Sequence, residues 1–349
     1  MCNNWSLDGS CDKKELSAKE IINIFNSYNA EFNIERVRFW GGEPFMRDDL
    51  TDIIKDISSL SKTEVLTNGT LITKTTAKKL VECGLNLIEF SIDIPEEHND
   101  NLRGKGIYRN AMKAIDILVE EKQRQKAKLP EIKIRPLITK KNFRQFNDLY
   151  NLAKRKGIDF RVVFLRDHYK ALMETCFEGK SIGYYQPGKN GREQNIETAN
   201  LTLSPKECKK VWSQFCDVKH DIKPNWLLAI IKGVLRQLDY ILGSVVYFDC
   251  SRSRNQLLID PWGGLFICEF LSYKYGNCLV DGPKSWFSKT RLNVRKKIIE
   301  GLFPICRECN KNGLYRPSLY YFIIRWYSYF IHKNRSPSNP KSIRWRIKI

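Results

Sequence analysis

Short β-branched runs alternate with amphipathic helical stretches through the first 165 residues, and no other feature restricts the fold as much. Strands are predicted at Arg36–Trp40, Glu64–Leu66, Leu87–Ser91, Ile132–Ile138 and Phe160–Leu165. Between them fall predicted helices over 49–60, 75–84, 109–122 and 143–156. An earlier helix opens at Ser17, where Glu20 three residues on completes a capping box, and Gly84 is the C-cap of a later one. Parallel strands joined by helices of this length require right-handed crossovers. Each strand runs at its C-terminal end into small, polar or acidic residues, the edge where barrels and open sheets keep their chemistry. By itself this alternation names only a fold class.

The remainder is organised differently. From Arg166 to Leu203, Gly179, Gly183, Gly188 and Gly191 lie among Asn and Lys and read as a loop or linker. A helical block is expected from Pro205 to Leu242, then a cysteine-bearing segment from Cys250 to Cys309. The expected divisions are a barrel over 1–165, a linker loop and helices over 166–247, a cysteine domain over 248–312 and a basic aromatic tail over 313–349.

The net charge of +20 points to an acidic partner such as nucleic acid, an anionic membrane face or an acidic peptide, or simply to a Lys- and Asn-rich proteome. No specific nucleic-acid motif accompanies it. No apolar run reaches the roughly 18 residues that span a bilayer, and Met1–Trp5 lacks the pattern of a secretory signal. Eleven cysteines without such a signal point to metal ligation in a reducing compartment rather than to disulfides. A cytoplasmic protein is expected. The aromatic stretch Leu319–Ile331, followed by Arg335, Lys341, Arg344, Arg346 and Lys348, suits a helix packed on the barrel or a peripheral contact with an anionic membrane.

The strand Arg36–Trp40 ends on Gly41-Gly42-Glu43-Pro44. Two glycines let the backbone approach a ligand closely and offer it N–H and C=O groups. Glu43 is placed to support the turn, and Pro44 fixes the chain leaving it. Alone, such a turn is an ordinary strand-to-helix link. Here Cys2, Asn3 and Trp5 precede it. Thr67-Asn68-Gly69-Thr70, Ser91-Ile92-Asp93 and His98-Asn99-Asp100 follow, leading to Arg103-Gly104-Lys105-Gly106. Singly, Asn68-Gly69 is a common turn pair, Asp93 a helix cap and Arg103 a surface ion pair. In this order they closely resemble the radical SAM superfamily over about Met1 to Leu165. That resemblance implies a partial (β/α)6 TIM-like barrel binding S-adenosylmethionine (SAM) through Gly41, Gly42, Glu43, Pro44, Asn68, Ser91, Asp93 and Arg103. The Gly-Gly turn would take the methionine amino group, and Ser91 and Arg103 the ribose or carboxylate.

One departure stands out. In the family a [4Fe–4S] cluster is held by C-x3-C-x2-C, with one iron left open for SAM. Cys2 resembles the third of these cysteines. The first two, and the first barrel strand, are missing from this sequence, and Cys11 lies on the wrong side of Cys2 to replace them. Two readings remain open: a start upstream of Met1, or a degenerate, non-catalytic homologue acting as a binding protein. The intact downstream motifs favour the first.

A second constellation is Cys250-x12-Gly263-x4-Cys268 followed by Cys306-x2-Cys309, with Tyr275-Gly276-Asn277, Trp286 and Phe303-Pro304 between. It resembles the SPASM (twitch-like) auxiliary-cluster domain over about Phe248 to Asn312. The resemblance implies one auxiliary [4Fe–4S] cluster on Cys250, Cys268, Cys306 and Cys309. By spacing alone four thiolates suit zinc equally. Cys278 is a possible spare ligand, whereas Cys83, Cys176, Cys208 and Cys216 read as ordinary cysteines. Together the resemblances imply reductive cleavage of SAM to a 5′-deoxyadenosyl radical and hydrogen abstraction from a peptide or small-molecule substrate. Electrons would come from a reductant such as ferredoxin or flavodoxin.

Overall fold

The computed structural model describes residues 14–94, 100–165, 174, 176–182, 201–218, 245–248, 250, 253, 255–299, 303–304, 306, 313–315 and 343–348. Helix α1 (Ala18–Phe32) starts at the expected cap, with Ser17 N donating to Glu20 Oε2 at 2.8 Å and Glu20 N to Ser17 Oγ at 3.3 Å. Its buried residues Ile21, Ile24, Phe25 and Tyr28 recur every three or four positions, the spacing that lays one helix face on a sheet.

The alternation then proceeds through β1 (Ile34–Trp40), α2 (Leu50–Ser58), β2 (Lys62–Thr67), α3 (Lys74–Glu82) and β3 (Leu87–Phe90). After a short α4 (Asp100–Arg103) come α5 (Ile107–Arg124), β4 (Glu131–Ile134), β5 (Leu137–Ile138), α6 (Phe146–Arg155), β6 (Asp159–Phe160) and β7 (Val163–Phe164). Strands β1, β2, β3, β4 and β6 are parallel neighbours in that order, forming an open, partial TIM-like barrel. Gly84, at φ +76°, follows α3 as its left-handed C-terminal residue.

Side chains in a strand alternate between faces, and here the two sets differ sharply. Val37, Phe39, Val65, Ile88, Phe90, Ile134 and Phe160 are buried in one core with the apolar residues of α1, α2, α3, α5 and α6. The intervening positions include Arg38, opposite Glu64 in register, and Glu89, opposite Leu66 and Lys133. The second face is therefore charged.

The structure departs from the expected elements in four places, the first being that the strand expected over 160–165 is two, β6 pairing with β4 and β7 with β5. The single strand expected over 132–138 is two, because Pro136 has no N–H to continue the ladder; β5 pairs with β7 beyond the break. Within the stretch read as loop, β8 (Cys176–Phe177) and β9 (Lys180–Ser181) form a hairpin. The end of the expected tail is also structured. Strand β15 (Ile343–Lys348) lies parallel to β1, occupying the side of β1 where an additional barrel strand would pair.

The expected helical block begins with α7 (Pro205–Val218), and β10 (Val245–Phe248) pairs antiparallel with β14 (Gly313–Tyr315). The cysteine region contributes an antiparallel meander, β11 (Gln256–Ile259), β12 (Gly264–Phe266) and β13 (Lys274–Asn277), joined to the barrel sheet because β11 pairs with β15. Further contacts tie this region to α1. Tyr28 Oη donates to Gly282 O at 2.6 Å and lies 2.9 Å from Ser285 Oγ, while the Phe32 and Trp286 rings pack 5.6 Å apart. No helix among the described residues is long and apolar enough to cross a membrane. The aromatic stretch Leu319–Ile331 lies outside the described residues.

Candidate SAM-binding site

Trp40, Thr67 and Phe90 end their strands at one edge of the sheet, so Gly41-Gly42, Asn68 and Ser91 emerge side by side. Hydrogen bonds lock these turns together. The Glu43 carboxylate accepts from Thr67 Oγ1 at 2.6 Å, Asn68 N at 2.7 Å and Phe45 N at 3.3 Å. Ser91 N donates to Thr67 O at 2.9 Å. Glu43, anticipated as a support for the turn, braces the end of β1 against the end of β2. Burial pushes its carboxyl above the usual carboxylate range, against the pull of those hydrogen bonds. Pro44 is buried and opens a single 3-10 turn.

The glycines differ in what they do. Gly41 has φ 149°, which side chains rarely adopt. A Cβ on Gly42 would meet no atom within 4 Å, so the turn exposes bare backbone to open space where a small polar head can approach. This cradle fits the amino acid end of SAM. Gly69, at φ +80°, is required for packing instead: a Cβ there would lie 2.9 Å from the Phe90 ring. The Asn68 side chain folds back to accept from Thr70 N at 2.8 Å.

Asp93 and Arg103 meet. Arg103 Nε and Nη2 each lie 2.7 Å from Asp93 Oδ2, while Asp93 Oδ1 accepts Leu137 N at 2.7 Å. Asp93 is buried and ties the end of β3 to β5. It thereby positions Arg103 rather than presenting an open carboxylate. Sequence reasoning named both residues without recognising the pair.

Sequence reasoning missed the charged face entirely. Glu89 is fully buried, with Arg38, Arg135 and Arg161 around it. Charged residues at alternate positions of otherwise apolar strands, as in Arg36-Val37-Arg38, were the available signal.

The C-terminal cysteines are less assembled. Cys250 and Cys306 are buried and Cys268 half-buried. Ser253 N donates to Cys250 Sγ and Phe270 N to Cys268 Sγ, both at 3.4 Å, contacts that suit sulfur acceptors. Among the described residues no three His, Cys, Asp or Glu side chains gather to hold a metal. Cys2 and Cys309 lie outside the described residues. Cys278, weighed as a spare ligand, packs against Gly263, and burial pushes its thiol up to about 12.

Residues 1–153 match the Radical SAM superfamily model. The chain is 30% identical over 283 residues to the mycofactocin maturase MftC of Mycolicibacterium smegmatis, covering 79% of this chain and 63% of the maturase. It is 26% identical over 281 residues to a GTP 3′,8-cyclase of Psychromonas ingrahamii, covering 77% and 73%. A Sulfurisphaera tokodaii relative is 31% identical over 176 residues, and the chain spans 53% of it. This chain thus covers less than two thirds of the maturase and of the Sulfurisphaera protein. In fold it resembles native anSMEcpe with bound AdoMet, with a TM-score of 0.57, 17% identity and coverage of 96% and 93%.

Proposed function

From the premise that this chain belongs to the Radical SAM superfamily, we propose that it binds SAM at the Gly41-Gly42 turn and modifies a peptide or small molecule by hydrogen abstraction. The observation that carries this reading is the Glu43 brace. It fixes a side-chain-free turn beside Asn68 and Ser91 at the barrel's C-terminal edge. Held at this turn beside a reduced [4Fe–4S] cluster, SAM would supply the hydrogen-abstracting chemistry through one-electron reductive cleavage. The residues of this chain bind and orient. Gly41 and Gly42 offer backbone groups to the methionine head, Ser91 a hydroxyl, and Arg103 a guanidinium held at its angle by Asp93.

Cys2 is proposed as one ligand of the SAM cluster, and Cys250, Cys268, Cys306 and Cys309 as ligands of one auxiliary [4Fe–4S] cluster. The names of two relatives, a mycofactocin maturase and a GTP cyclase, and the structural neighbour anSMEcpe with bound AdoMet and Kp18Cys peptide, support a small molecule or a peptide as the substrate class. A ferredoxin or flavodoxin is the proposed electron donor. The test is anaerobic incubation with SAM and dithionite of the chain extended upstream so that a C-x3-C-x2-C motif ends on Cys2, followed by chromatography for 5′-deoxyadenosine. A preparation that binds SAM and carries iron and sulfide yet forms no product overturns the enzyme reading in favour of a binding protein.

A further inference from the structure

A buried charge is costly unless it is paired, so a buried cation without an anion points to a partner still to come. Arg291 is such a cation. It lies in the first turn of α8 (Lys289–Ile299), where its N–H donates to Ser288 Oγ at 3.2 Å, and it is only 2% exposed. Nη1 donates to Trp286 O at 3.0 Å and Nη2 to Ser253 O at 2.8 Å. The guanidinium stacks 3.4 Å from the centre of the Trp286 ring, while its buried Nε makes no hydrogen bond. Among the described residues no carboxylate pairs with it, and the nearby charge of Arg295 repels it. Tyr275, whose ring lies 5.9 Å away, supplies no anion, because burial pushes its hydroxyl up and keeps it protonated.

What Arg291 holds is the turn that carries Cys250. Ser253 is fully buried and donates its N–H to Cys250 Sγ at 3.4 Å and its hydroxyl to Cys250 O at 2.9 Å. Its own carbonyl accepts Arg291, so one residue joins the guanidinium to the sulfur. Four thiolates on a [4Fe–4S] cluster or on a zinc ion leave a net negative charge. A ligated Cys250 therefore brings to this buried turn the anionic partner that Arg291 lacks.

We infer that Arg291 is a positioning residue and counter-cation of the auxiliary metal centre, fixing the Cys250 turn and offsetting the charge of the ligated thiolates. This rests on the auxiliary-cluster reading and adds to it a residue outside the thiolate set. A cation so placed favours the more negative, reduced state of a cluster and so raises its potential.

The test uses the whole chain, loaded anaerobically with iron and sulfide or with zinc, and measures loss of metal to EDTA. Arg291→Gln keeps a donor for one carbonyl but removes the charge, and is expected to lose metal at least tenfold faster than wild type. Arg291→Lys keeps the charge without the fork and is expected to fall between. In the iron–sulfur form the midpoint potential of Arg291→Gln, followed by electron paramagnetic resonance, should fall by about 59 mV, tenfold for a one-electron couple. Melting temperatures separate this role from a brace that only ties backbone carbonyls. With Cys306→Ala and Cys309→Ala removing the metal, Arg291→Gln should lower the melting temperature by less than half of what it does in the loaded protein. Equal losses in both backgrounds, or metal release unchanged in Arg291→Gln, overturn the inference and leave the auxiliary-cluster reading standing. A wild-type chain that retains neither iron with sulfide nor zinc defeats that reading and this inference with it.

Discussion

The Glu43 carboxylate accepts the backbone N–H of Asn68 at 2.7 Å, joining the turn after β1 to the turn after β2. Two loops that converge on a ligand are held by the protein itself, before any ligand arrives. Preorganisation of this kind lowers the ordering cost that binding otherwise incurs.

That brace titrates. Burial raises the Glu43 carboxyl above its ordinary 4.5, so the folded state holds this proton more tightly than the unfolded chain does. Its stabilising contribution is complete below 4.5 and is lost as pH rises through the higher folded value. Glu43→Gln removes the titration and weakens the bond to Asn68, for roughly 1–3 kcal/mol of lost stability at acid pH. The melting temperature of wild type, relative to the variant, should decline as pH rises from 4.5. A gap independent of pH contradicts the assignment.

Gly69→Ala tests the neighbouring turn. Positive φ and a Cβ 2.9 Å from the Phe90 ring predict a loss of about 2–3 kcal/mol in denaturant unfolding. A loss under about 0.5 kcal/mol, typical of an unconstrained surface site, would show that the turn relaxes freely.

Much of this was legible in sequence because it is local. The Ser17–Glu20 cap, the C-terminal Gly84 and the helix–strand alternation are each set by neighbours within a few residues, and β1 through β3 fall where expected. What escaped depends on distant partners. Nothing near Ile343 announces that it will pair with Ile34 across the whole chain. Arg161 becomes a partner of Glu89 only once the register of β3, β4 and β6 is set. Asp93 and Arg103 were named as candidate site residues, but their mutual ion pair required the chain to turn back between them.

Tyr28 links the barrel to the cysteine region. Its hydroxyl, buried and pushed up to about 12, donates to Gly282 O. Tyr28→Phe should cost about 1 kcal/mol, softened because Ser285 Oγ still donates to Gly282 O at 2.6 Å. Urea unfolding measures it, and a loss above about 3 kcal/mol would mean that the hydroxyl holds more than this one joint.

The C-terminal cysteines predict composition. Anaerobically purified protein should carry about four irons and four sulfides in that region, removed by the double substitution Cys306→Ala and Cys309→Ala. Stoichiometric zinc without sulfide would assign a tetrahedral zinc site instead.

Calorimetric titration of SAM into wild type and Gly42→Val tests the central claim most directly. A Cβ at Gly42 meets no protein atom within 4 Å, so the variant should fold with a melting temperature close to that of wild type. Its branches would fill the space that the methionine head needs. The account predicts SAM binding by wild type and none by Gly42→Val. Equal binding by both proteins would contradict it.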